Sequence, residues 1–202
     1  MPAAYPMLLD VTTLPIVIVG GGGVAVRKAN GLIEAGATNI TVVSPDVAVD
    51  MPPVRHVARR YAPDTLTGAR LVFAATNNAA VNAAVAVDAR AVGALVCRAD
   101  TQDAADADFA TAATFREGPI VVAVSTGSAA LTATVRDALR DRFDPRWAAM
   151  AEAMRTLRPL IKDRLPPAER AAAFRKLATD DALAVLAGGG IERLKAWIGI
   201  GG

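Results

Sequence analysis

The apolar residues of this chain fall into two kinds of pattern, and the pattern changes near residue 145. Ile16 to Val19 (I-V-I-V) is an unbroken run of β-branched residues, as expected of a strand covered on both faces in a parallel sheet. Asn39 to Ser44 (N-I-T-V-V-S, closed by Pro45), Arg70 to Thr76 (R-L-V-F-A-A-T) and Ala94 to Cys97 (A-L-V-C) read the same way, with His56 to Tyr61 as a further short strand. Helix-compatible stretches lie between them: V-A-V-R-K-A-N-G-L-I-E-A-G after the first run, and the alanine-rich Asn78 to Val92. Up to about residue 112 this alternation predicts an open, mostly parallel α/β sheet. A sixth apolar run, Ile120 to Val124, leads into Ser125-Thr126-Gly127-Ser128, which predicts a strand, a small-residue turn and a helix. Beyond Asp144-Pro145 only helical periods remain. Trp147, Met150, Met154, Leu157 and Ile161 form one apolar stripe on a helix ending before Pro166-Pro167. Ala168 to Leu177 and Asp181 to Leu186 follow as helices, and Gly188-Gly189-Gly190 separates a last one, Ile191 to Ile198. No internal repeat or low-complexity linker stands out. The expected organisation is 1–112, 113–145 and 146–202.

The first strand runs straight into a glycine cluster and then a helix. Gly20, Gly22 and Ala25 fit G-x-G-x-x-A, with Gly23 and Val24 in the first helical turn. The first glycine permits a tight turn, the second lets a pyrophosphate approach the backbone, and the small third residue lets helix and strand pack closely. Free N–H groups at the helix start then face the phosphates. Strand, loop and helix together predict a Rossmann-like dinucleotide site. In such folds an Asp or Glu often ends the second strand and binds a ribose hydroxyl. Here Ser44 holds that position, with Asp46 two residues on, and the next basic residue is Arg55. NAD is therefore favoured over NADP. Thr76 and Asn77 follow the strand F-A-A-T at the edge where cofactor contacts are expected, although a plain polar turn remains equally open.

Composition narrows the class. With 202 residues, 53% of them apolar, the chain can bury a proper core, and with only 4% aromatics that core rests on Val, Ala and Leu. Twenty-two basic residues against 20 acidic give a net charge of +2, too balanced to point to nucleic acid. One cysteine and one histidine exclude an internal disulfide framework and ordinary zinc spacing, so no metal site is expected. The opening M-P-A-A-Y-P-M-L-L-D lacks the form of a signal peptide, and no apolar stretch has membrane-spanning length. A cytoplasmic, reduced protein is the expectation, and the charge balance is compatible with an anionic small molecule as ligand.

Asp100 stands out among the ionisable groups, because it lies just past the buried strand A-L-V-C at the cofactor edge of the sheet. A carboxylate there can act as a general base or orient a cationic substrate nitrogen; a loop Asp or helix cap in T-Q-D-A-A-D is the bland alternative. Arg155, Arg158 and Lys162 share one face of a helix, where they suit either carboxylate binding or solvation. His56 reads as a surface or strand residue and Cys97 as a buried, unreactive one.

Taken together, these segments resemble the precorrin-2 dehydrogenase and sirohydrochlorin ferrochelatase family of sirohaem synthesis. The matching stretches are Y-P-M-L-L-D (Tyr5 to Asp10), V-I-V-G-G-G-G-V-A-V-R-K, V-V-S-P-D, F-A-A-T-N-N, V-C-R-A-D and V-A-V-S-T-G-S. The resemblance implies a homodimer, with 113–145 as its dimerisation region. It also implies that NAD accepts a hydride from precorrin-2 to give sirohydrochlorin, some members inserting ferrous iron in the same cleft. Asp100 matches the family's essential carboxylate, and Thr126, with Ser125 beside it, matches a hydroxyl position near the tetrapyrrole. The eight carboxylates of that substrate would give Arg155 and Arg158 a role. The chain departs from the family in three places. Cys97 stands where many members have Asn, a proline is missing from D-A-D-F-A-T-A-A-T-F, and the Gly-Gly-x-Ser-Pro segment is shortened to Gly127-Ser128-Ala129-Ala130. The different class left open is a non-catalytic NAD or tetrapyrrole sensor on the same fold.

Overall fold

The computed structural model describes residues 5–101 and 106–201. The chain divides into two compact units, Met1–Thr111 and Ala112–Gly202. The first contains five strands, β1 (Ile16–Val19), β2 (Ile40–Val43), β3 (Arg55–Val57), β4 (Leu71–Ala74) and β5 (Leu95–Arg98). All pair in parallel, in the order β3-β2-β1-β4-β5. Ile16 lies opposite Ile40 on one side and Leu71 on the other, so β1 is central. The chain winds outward from β1 through β2 and β3 and then crosses back to β4. The strand order therefore reverses between β1 and β4, which is where open α/β sheets bind ligands.

Because alternate residues of a strand face opposite ways, β1 feeds two cores. Ile16 and Ile18 pack with Ala25, Ala29 and Leu32 of α1 (Gly23–Glu34), whereas Val17 and Val19 share a core with Val85, Ala86 and Ala89 of α2 (Ala79–Ala91). Alanine at the contact positions lets both helices lie close to the sheet. The expected strand from His56 to Tyr61 is shorter and earlier than the sequence suggested. Arg59 N–H turns back to Val57 O at 2.8 Å, and the Tyr61 hydroxyl donates to Asp88 of α2 at 2.7 Å.

The far edge of β5 is closed by a side chain. Asp108 N–H donates to Val96 O at 2.8 Å, while Val96 N–H donates to Asp108 Oδ2 at 2.9 Å, so one aspartate imitates a neighbouring strand. Arg90 Nε holds the same carboxylate at 2.9 Å. Capping an edge in this way removes a template for unwanted pairing.

The second unit opens with a hairpin, β6 (Ala113–Glu117) and β7 (Ile120–Val124), paired antiparallel through a turn at Gly118, whose φ is 54°. The run Ile120 to Val124 is thus a strand, as its composition indicates, but it stands outside the parallel sheet. Its partner β6 was not foreseen, because A-T-F-R-E has a single buried apolar residue, Phe115. Four helices follow: α3 (Ala129–Arg140), α4 (Arg146–Arg164), α5 (Pro167–Leu177) and α6 (Asp180–Trp197). Met150, Leu157 and Ile161 of the expected stripe are buried, joined by Leu177, Leu183 and Leu194, while Trp147 and Met154 pack partly buried at the margin. The glycine run separates two helical segments within α6, as the sequence suggested, because Gly189 and Gly190 leave helical φ/ψ and the segments meet there at a kink. Hairpin and helical tail belong to the same unit. Among the described residues no helix is long and apolar enough to cross a membrane.

Replacing Asp108 by Ala keeps the backbone N–H that donates to Val96 O but removes the carboxylate, leaving the Val96 N–H without its acceptor. A stability loss of about 1–3 kcal/mol is expected in denaturant titration of the whole chain, with the mutant amide of Val96 losing hydrogen-exchange protection.

Candidate active site

The glycine loop is shaped by close backbone contacts. Gly20 leaves β1 at φ 125°, and a Cβ built there would lie 2.4 Å from the Ala75 carbonyl oxygen. Gly21 is packed as tightly, a Cβ there falling 2.0 Å from Asp46 O. Gly22 differs, because its Cβ position meets nothing within 4 Å. It is the N-cap of α1 and carries no side-chain cap, so the first-turn N–H groups of Gly23 and Val24 have no side-chain acceptor. The open space above Gly22 and the uncapped helix end fit a pyrophosphate. Ala25 is fully buried against β1, as the third position of the motif requires.

At the end of β2, Ser44 is half-buried and Asp46 exposed. Ser44 N–H donates to Val57 O at 3.2 Å, and His56 Nε2 lies 2.8 Å from Ser44 O. The one histidine therefore fixes the backbone at the expected ribose edge. Gly21 O accepts from Ala48 N–H at 2.7 Å, which ties the Asp46 turn to the glycine loop.

Beyond β4, Thr76 is drawn into a turn and Asn77 is exposed. Asn78 is the N-cap of α2, accepting from Ala80 and Val81 N–H at 3.0 and 3.2 Å. Thr76 N–H and Oγ1 both donate to Asn82 Oδ1, at 3.1 and 2.7 Å, and Asn82 Nδ2 donates back to Thr76 O at 3.1 Å. Asn82 was missed in the sequence, although a polar residue on the core face of an alanine-rich helix was a legible signal.

Asp100 follows β5, positioned by Ala99 N–H donating to Ala74 O at 2.9 Å. Its carboxylate takes a two-pronged contact from Arg98, Nε at 3.1 Å and Nη2 at 3.0 Å. Arg98 is only 10% exposed at its side chain and also approaches Asp106 at 3.4 Å. The guanidinium holds the Asp100 pKa below the usual carboxylate range, against a smaller opposing effect of burial, and the Asn82 side chain adds to the lowering. Asp100 is thus a fixed negative charge rather than a strong base. Residues 102–105 of the T-Q-D-A-A-D segment lie outside the described residues. Cys97 is buried, and burial pushes its thiol pKa up, which suits an unreactive residue.

In the second unit Ser125 and Thr126 are exposed. Thr126 N–H donates to Thr132 Oγ1 at 3.1 Å, and the two hydroxyls lie 2.8 Å apart. Arg155 pairs with Glu152, and Arg158 sits over the Phe174 ring at 5.0 Å. Among the described residues no group of three or more His, Cys, Asp or Glu side chains could hold a metal.

A parallel sheet whose order reverses beside an uncapped glycine loop defines a dinucleotide-binding α/β protein. Residues 7–113 match a family model described as "Putative NAD(P)-binding". The chain belongs to this NAD(P)-binding family. Among curated proteins it is similar to "Siroheme synthase" of Chromobacterium violaceum, 34% identical over 188 residues, covering 89% of this chain and 39% of the relative. "Siroheme synthase" of Gluconacetobacter diazotrophicus is 35% identical over 163 residues, covering 76% and 34%. "Siroheme synthase 2" of Aeromonas hydrophila is 37% identical over 153 residues, covering 73% and 32%. The chain thus spans between about a third and two-fifths of the length of these relatives. Among solved structures, "SirC, precorrin-2 dehydrogenase" superposes with a TM-score of 0.77 at 23% identity, covering 97% of this chain and 99% of that one, and so shares its fold.

Gly22→Asp separates folding from binding. The position has extended backbone (φ −87°, ψ −174°) and open space, and aspartate is a favoured N-cap. Thermal stability should hold or rise, while NAD affinity by calorimetry falls at least about a hundredfold through like-charge contact with the pyrophosphate.

Proposed function

We propose that this protein catalyses NAD-dependent dehydrogenation of precorrin-2 to sirohydrochlorin in sirohaem synthesis. The observation that carries the reading is the ionised Asp100 beside the Thr76 turn, at the carboxyl edge of the sheet where the glycine loop opens. The curated relatives named siroheme synthases and the fold of the precorrin-2 dehydrogenase SirC support it. Ser44 and Asp46, with no arginine between residues 44 and 54, favour NAD over NADP.

In this reading Gly20, Gly22, Gly23, Val24 and Ala25 hold the pyrophosphate, Ser44 and Asp46 the adenosine ribose, and Thr76 and Asn77 line the nicotinamide side. When bound, NAD supplies the hydride acceptor. The substrate loses a hydride and a proton, giving sirohydrochlorin, NADH and H⁺. Loss of hydride leaves positive charge on the conjugated ring system, and a carboxylate that stays ionised stabilises that charge through the ring N–H groups. Arg98 keeps Asp100 charged but makes it a modest proton acceptor, so its electrostatic role outweighs general-base action. With a folded pKa below the unfolded value, the carboxylate stays ionised at all pH above the ordinary carboxylate range.

Ser125, Thr126, Arg155 and Arg158 are the proposed substrate contacts of the second unit. The exposed Ser125 is the freest of these, since Thr126 closes a turn and Arg155 is paired. A homodimer belongs to the same reading, because α3 has no buried residue and leaves Leu131 and Leu139 exposed. Ferrous iron is a second substrate, for insertion into sirohydrochlorin.

Anaerobic incubation with enzymatically generated precorrin-2 and NAD should yield NADH and sirohydrochlorin in equal amounts, and ferrous iron added afterwards should raise metallation above the spontaneous rate. Asp100→Ala should bind NAD normally and lose at least ~10²-fold in dehydrogenation. NAD binding without NADH formation by the wild-type protein would instead indicate a sensor.

A further inference from the structure

Asn82 is the polar side chain that the described core buries completely, and a buried amide needs partners for both its oxygen and its nitrogen. Its Oδ1 takes both donors of Thr76, and Nδ2 spends one hydrogen on Thr76 O at 3.1 Å. The last paired residues of β4 and β5 are Ala74 and Arg98, and Ala99 N–H still donates to Ala74 O at 2.9 Å. Asp100 therefore leaves β5 next to the chain leaving β4 toward Thr76, where the second hydrogen is available to its carboxylate.

The second unit provides an internal comparison. Residues 76–83 read T-N-N-A-A-V-N-A and residues 126–133 read T-G-S-A-A-L-T-A, a correspondence not evident until both were seen to join a strand to a helix. In each, the hydroxyl of the first threonine accepts the N–H two residues on, at 3.1 Å from Asn78 and 3.4 Å from Ser128. The seventh residue closes the turn by accepting the threonine N–H at 3.1 Å, whether it is Asn82 or Thr132. A hydroxyl is therefore sufficient for this turn. What the amide adds at position 82 is an NH₂ group, with a hydrogen to spare.

We infer that Asn82 is a positioning residue of the dehydrogenation, tying the Asp100 carboxylate to the Thr76 turn that abuts the dinucleotide loop. The inference rests on the role given to Asp100 above. Arg98 orients that carboxylate through Nε and Nη2 but shares its guanidinium with Asp106, 3.4 Å from Nη1, and ties Asp100 only to its own strand. The groups facing Asp100 are Arg98 and its own backbone N–H from the β5 end, Asn82 from α2, and Asp106 through Arg98. Because Gly20 packs on Ala75 and Thr76, a carboxylate anchored through Asn82 is placed relative to bound cofactor rather than only relative to its own strand.

Asn82→Thr reproduces the turn of the second unit and removes the NH₂ donor. The expected protein melts like wild type and binds NAD within about twofold. Its Asp100 carboxyl, followed by carbon NMR titration, should have a pKa roughly one unit higher. Its kcat should fall about tenfold or more with KM for NAD unchanged, and the acidic limb of the kcat profile should move up with the carboxyl pKa. Asn82→Ser, with a shorter hydroxyl, should reproduce this if the threonine variant folds poorly. An unchanged Asp100 titration in a folded variant overturns the inference, as does a loss confined to NAD affinity. If the wild-type protein does not turn over precorrin-2, the reaction assignment fails separately, and the NMR titration still decides whether Asn82 holds Asp100.

Discussion

The structure depends on how closely the exit of β1 passes the end of β4. A Cβ on Gly20 would penetrate the Ala75 carbonyl, so only glycine allows the two strand ends to meet. That approach brings the glycine loop against the Thr76 turn, and the matching contact of Gly21 with Asp46 brings in the end of β2. Three loops from three strands thus converge at the switch point of the sheet. A larger side chain at either glycine would have to part these ends, and the proposed cofactor contacts would separate with them.

The second constraint is electrostatic. Asp100 is gripped at that edge by the Arg98 guanidinium, which with the buried Asn82 amide favours its charged form. The same partners that fix its position weaken it as a base, since each raises the cost of protonation. A site that had to take up a proton strongly would bury its carboxylate in apolar surroundings and raise its pKa. The arrangement here suits the opposite task in the proposed reaction, which is to offer a fixed negative charge to a substrate that becomes more positive as hydride leaves.

Much of the first unit was legible in the sequence, because its signals are local. Four strands announced themselves as apolar runs, β-branched in β1 and β2, and the loop between β1 and α1 was readable from Gly20, Gly22 and Ala25. What escaped depends on pairing across the chain. β6 has one buried apolar residue, so only its hairpin with β7 makes it a strand. Asp108 looked like one loop acid among several, and its strand-like role arises from where Val96 happens to present its N–H and C=O. Asn82 did carry a signal, a polar residue on the core face of an alanine-rich helix, but its partner Thr76 emerges only from the folded turn. The basic stripe was correctly placed on α4, but periodicity could not foretell that Arg158 would lie over Phe174 and Arg155 beside Glu152.

The helix starts add a last argument about where ligand is accommodated. Asn78 caps α2, Ser128 caps α3 and Thr179 caps α6, each accepting first-turn N–H groups through its side chain. Such a cap typically contributes about 1 kcal/mol. At α1 the chain places Gly22 and forgoes that contribution, as it does at Pro145 of α4 and Pro166 of α5. Of these three, α1 alone starts at the switch point of the parallel sheet, with open space above Gly22. A capping oxygen there would occupy the N–H groups and the open space above them, which are the two things a pyrophosphate needs. Local stability and binding compete for the same donors, and the α1 terminus is built for the ligand.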